Sequence, residues 1–170
     1  MRPSMRSMGC VIALSAALVA VLGSATAQAA GDASFTGING GIALAYHANM
    51  DAQQMAAAGT PGEPGATGTA HLSLDSSTGT ICYNVSWSGI PDGVTFGHIH
   101  QAVYGQPENP GFTVNLFGPY TGAGAPNPSS GCVLAPGQIT AIEADPTAYI
   151  VVLHSPNFPV GDVRGQITPG

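Results

Sequence analysis

Apolar residues in this chain fall in short runs, mostly at every second position, with glycine and proline between the runs. Ala70, Leu72 and Leu74 alternate with His71 and Ser73. After the turn residues 75–79, Ile81, Tyr83, Val85 and Trp87 alternate with Cys82, Asn84 and Ser86. Period two marks a strand with one buried face, so the two runs predict a hairpin. Further strands are expected over residues 94–101, 112–117, 149–154 and 162–167. Residues 33–48 read as a first strand pair, with Asn39-Gly40 as its turn signal. Helical periodicity is scarce. Asp51 can cap one short helix that stops at Gly59, and Ile139 and Ile142 fit a single turn ended before Pro146. Residues 118–131 are rich in Gly, Pro, Asn and Ser and predict a loop.

Composition supports the same picture. The chain holds 24 glycines and 14 prolines, and only 7% of its residues are charged. Many short strands set between such breakers predict an all-β fold, a Greek-key-like antiparallel β-sandwich with long Gly/Pro-rich loops. There is no internal repeat, phosphate-binding loop or coiled-coil heptad.

The first thirty residues have a different character. Arg2 and Arg6 precede an apolar run over residues 11–22, and Ala-x-Ala options follow near Ala29. This is the form of a secretory signal peptide, and the run is short for a membrane span of about 20 residues. The expected organisation is a leader over 1–30, an N-terminal strand pair and linker over 31–66, and the main body over 67–170. Residues 31–170 then form one globular domain, secreted, periplasmic or at the cell surface, with no membrane span once the leader is removed. Without the leader, Arg164 is the one fixed positive charge against nine acids, a net charge of −8. Such a surface repels nucleic acid. Two cysteines remain, Cys82 and Cys132, and an even pair in an exported chain predicts a disulfide.

Candidate chemistry centres on histidine. His98 and His100, two apart on a strand, share a face. His154 closes a second apolar strand. Three neutral imidazoles suit copper or zinc, although a lone strand histidine is more often a hydrogen-bonded structural group. His71 is a candidate fourth ligand, and His47 a weaker one. Arg164 shares a face with Asp162 and Gln166. Its ordinary role there is an ion pair or bonds to backbone carbonyls, and its functional role would be to guide an anion toward a metal. There is no Gly-x-Ser-x-Gly elbow, and the acids are scattered singly, which argues against a paired-carboxylate hydrolase.

Four segments taken together carry a family resemblance: residues 67–75 (Thr-Gly-Thr-Ala-His-Leu-Ser-Leu-Asp), Gly97-His-Ile-His100, Val151-Val-Leu-His154, and residues 158–167 with Gly-Asp-Val-Arg-Gly-Gln. The chain resembles the chordin-type (CHRD) domain over about residues 67–167. The resemblance implies an extracellular all-β domain, a type found in animals in an antagonist of bone morphogenetic proteins. A weaker resemblance links His98, His100, His154 and Arg164, in that order, to copper/zinc superoxide dismutases. The zinc-site loop of those enzymes is absent, so this likeness implies copper alone. The leading expectation is an exported, non-enzymatic binding or structural module with a protein or surface partner and no required cofactor. The alternative is a copper-binding protein with superoxide-dismutase-like activity, in which Arg164 would be catalytic.

Overall fold

The computed structural model describes residues 43–170. The expected leader and the first part of the expected strand pair over residues 33–48 lie outside them. Nine strands follow: β1 (Leu44–Asp51), β2 (Thr67–Asp75), β3 (Thr80–Ser88), β4 (Phe96–Gln101), β5 (Asn109–Phe117), β6 (Ser129–Leu134), β7 (Tyr149–His154), β8 (Val163–Gln166) and β9 (Thr168–Pro169). Helix α1 (Ala52–Ala57) follows β1, and α2 (Pro136–Ala144) precedes β7. Among the described residues, no helix is long and apolar enough to cross a membrane.

Every strand pairing is antiparallel. The order is β5-β4-β7-β8-β1-β2-β3-β6, with β9 beside β1. The fold is all-β, as the alternation predicts. The two leaves of the expected sandwich are halves of one continuous sheet that curls over a single core. The chain crosses between halves at β3 to β4, β5 to β6 and β6 to β7, in the manner of a Greek key. The core runs from Leu72, Leu74, Ile81 and Val85 in one half to Ile99, Val151, Leu153 and Val163 in the other. Phe117 of β5 bridges them, its ring 5.8 Å from Tyr83 and 6.1 Å from Trp87, centroid to centroid.

The β2–β3 hairpin and its faces match the alternation, from Thr67 opposite Ser88 to Asp75 opposite Thr80. Asp75 closes the turn by accepting the backbone N–H groups of Ser77 and Thr78. Asp51 caps α1, accepting from the Gln54 amide at 2.7 Å, as expected of an Asx N-cap. Other elements differ from expectation. α2 is a nine-residue helix rather than a single turn; Ile139 and Ile142 are its buried residues. β5 begins at Asn109, taking in Pro110, which an edge strand tolerates. The loop after β5 ends at residue 128, because residues 129–134 pair with β3 as a strand. Cys82 and Cys132 are disulfide-bonded as expected, across directly paired positions of β3 and β6 with Cα atoms 4.0 Å apart. The bridge therefore ties two neighbouring strands of the sheet. The segment expected as a linker also packs on the body: Ala66 is buried and the Glu63 amide donates to the Asp162 carbonyl.

Gly165 is a close-approach residue. A β-carbon there would collide with the Asn49 carbonyl of β1. Only glycine lets β8 and β1 meet at the seam between the two halves.

Candidate metal centre

The sheet register brings the site together. His98 lies opposite Val152, His100 opposite Ile150 and Phe96 opposite His154. Opposed residues of an antiparallel pair share a face, so all three imidazoles project from one side. That side is the outer one, since the intervening Ile99, Val151 and Leu153 fill the core. A small second apolar cluster, Met55, Ala102, Ile150 and Val152, covers part of this outer face. The histidines border it. His154 is buried, and His98 and His100 are half-buried.

The donor nitrogens, one from each histidine, lie within 4.8 Å of one another. His98 Nδ1 and His154 Nε2 stand 3.1 Å apart. His154 Nδ1 sits 3.2 Å from the Pro159 carbonyl. A carbonyl only accepts, so this nitrogen carries the proton and Nε2 keeps a lone pair aimed at His98. At His100, Nδ1 is 3.3 Å from the Thr113 hydroxyl and Nε2 is 3.6 Å from Glu108 Oε2. Burial, and secondarily His100, lowers the His98 pKa from 6.5 to about 4. Burial, with His98 next, lowers that of His154 to about 4 despite the Pro159 carbonyl. Both rings are therefore neutral at physiological pH, the form that ligates metals.

The donor set fits a transition metal. With metal–nitrogen bonds of about 2.0–2.1 Å, two ligand nitrogens stand roughly 2.9 Å apart at a right angle and roughly 3.4 Å apart at a tetrahedral one. The 3.1 Å between His98 and His154 falls inside that window. The 4.8 Å span exceeds the roughly 4.2 Å of ligands trans across such an ion, so the three nitrogens have to draw closer to hold one metal together.

His71 is not part of the cluster. It is exposed on β2, opposite His47 of β1, in the other half of the sheet. His47 Nε2 instead contacts the Thr168 hydroxyl at 3.1 Å. Arg164 lies on the same face as His98, both opposite Val152, but it is 1% exposed. Its guanidinium donates to the Gln106 carbonyl at 2.9 Å and the Val103 carbonyl at 3.3 Å. It makes no ion pair with Asp162, whose carboxylate accepts from Ser155 Oγ at 2.8 Å. Of the two ordinary roles expected for Arg164, carbonyl binding is the one realised. Glu108, Thr113 and the Pro159 carbonyl escaped sequence reasoning. Glu108 stands between two prolines in a polar stretch, and nothing local marks it as a histidine partner.

Fold and site together define an all-β domain carrying three imidazoles on the outer face of its sheet. The family model for the CHRD domain matches residues 46–167, and the chain belongs to that family. The match takes in most of β1 and all of α1, ahead of the motifs that carry the resemblance. No curated protein and no solved structure matches the chain.

Proposed function

We propose that this protein is an exported CHRD-domain module that binds copper through His98, His100 and His154. The observation that carries the reading is the convergence of three imidazole nitrogens within 4.8 Å on one face. An all-imidazole set favours copper, which stands highest in affinity among the divalent first-row metals. Bound there, the ion would supply Lewis acidity and one-electron chemistry. The chain's own contribution is to hold His154 by the Pro159 carbonyl and keep two of the rings neutral. The cystine between β3 and β6 suits an oxidising compartment, which supports export.

The geometry favours binding over superoxide-dismutase-like turnover. An anion guide has to present its charge to an incoming ligand, whereas Arg164 is buried with its donors on two carbonyls. Copper titration of the purified protein, followed by a superoxide dismutation assay, tests both points. One equivalent bound with no dismutation is expected. Absence of stoichiometric uptake removes the proposal, and dismutation by the loaded protein restores the enzymatic alternative.

A further inference from the structure

The described residues contain a single arginine, and it is fully buried. A buried cation is costly unless its donors are satisfied. Here no carboxylate pairs with it at ion-pair distance among the described residues. Its two terminal nitrogens instead fork onto successive points of one segment, the Val103 and Gln106 carbonyls. Gln166, two residues along the same face, reinforces the clamp by donating to the Ala102 carbonyl at 2.8 Å. Two residues past Gln106 comes Glu108, the carboxylate 3.6 Å from His100 Nε2. Pro107 and Pro110 stiffen the stretch around it. Asn109 fixes its far side through a 2.7 Å bond to Gln101 Oε1.

We propose that Arg164 is a positioning residue for the metal centre. By clamping residues 103–106 it holds Glu108 against His100, and so selects the nitrogen that His100 offers to a metal. This rests on the copper-binding reading above. A carboxylate facing one ring nitrogen keeps a proton there and leaves the other nitrogen as the lone-pair donor. The Thr113 hydroxyl lies 3.3 Å from His100 Nδ1 and would have to give up that lone pair when a metal takes it. The sheet supplies the link in one row: His98, Val152 and Arg164 lie side by side on β4, β7 and β8.

The test is a competition titration with copper(II) on the full chain and four variants, each checked for an unfolding transition without metal. Outer-sphere partners of ligand histidines commonly contribute about 10- to 100-fold in affinity. Glu108→Ala should weaken copper binding by about tenfold or more. Glu108→Gln, which keeps an acceptor oxygen, should stay within about threefold. Arg164→Gln should match Glu108→Ala, and the double variant Arg164→Gln/Glu108→Ala should be no weaker than either alone, because the arginine acts through the carboxylate. If Arg164→Gln fails to fold, Pro107→Gly loosens the same segment without touching the clamp and should weaken binding likewise. Unchanged affinity in Glu108→Ala, or additive losses in the double variant, overturns the inference while leaving copper binding in place. A wild-type chain that takes up no copper overturns both.

Discussion

The molecule carries two groups of histidines on the outer face of one sheet, and they differ in everything except chemistry. His47 and His71 stand directly opposite each other on β1 and β2. His98 and His154 are set diagonally on β4 and β7, a less direct arrangement. Yet only the second group forms a cluster. The difference lies in what covers each site. Over β1 and β2 the face is open, and His71 is exposed. Over β4 and β7, α1 and the 102–108 segment close the surface, and the turn after β7 brings the Pro159 carbonyl to His154. Adjacency in a sheet is common. An aimed, neutral imidazole also needs a partner on its second nitrogen and some exclusion of water.

The largest expected effect separates the two halves of the sheet. Replacing Cys82 and Cys132 by alanine should cost about 4 kcal/mol in the chain-entropy account of a loop of this length, read by urea unfolding. Copper affinity should stay within about twofold, because the bridge ties β3 to β6, away from the three histidines. A parallel loss of copper binding would show that the halves are coupled.

Acid should next act on the covered site. His98 and His154 sit at about 4 when folded, against 6.5 ordinarily. Between those values the unfolded chain binds more protons than the folded one, so metal-free stability is lost as pH falls from about 6.5 toward 4. Asp162 opposes this. Burial raises its pKa from 3.8 to about 6, so its contribution is present at low pH and is lost as pH rises through 6. Two imidazoles outweigh one carboxyl, so the net effect is a loss of stability as pH falls. Urea midpoints at pH 4.5 and 7 should show it, and His154→Gln should shrink it. An unchanged slope in that variant would contradict the burial of His154.

The sharpest contrast is between single substitutions. His98→Ala or His154→Ala should reduce copper affinity about 100-fold or more, roughly 2.7 kcal/mol. His71→Ala, the smallest expected effect, should change it by less than twofold. Equal losses from both groups would mean that histidine content, rather than the cluster, captures copper.

Much of this arrangement is readable without coordinates. The alternation of Leu72, Leu74, Ile81 and Val85 specifies a hairpin and its buried face, because side-chain direction on a strand is a local property. The same logic puts His98 and His100 on one side, and Asp51 marks the start of α1. Strand β6 is different. Residues 129–134 carry little alternation and follow a Gly/Pro-rich loop, and they become a strand through pairing with β3. Glu108 likewise acquires a role only because Arg164, far along the chain, holds the segment before it.

The order of residues alone determined most of the strands and their inward faces, the cystine partners and the histidines that could ligate. Tertiary structure alone decided which histidines meet, which are covered, and that the arginine faces a loop rather than solvent. The reason is range. Period-two patterning is set by neighbours in the chain, whereas ring aim, proton location and desolvation are set by groups fifty or more residues apart that the curled sheet brings into contact.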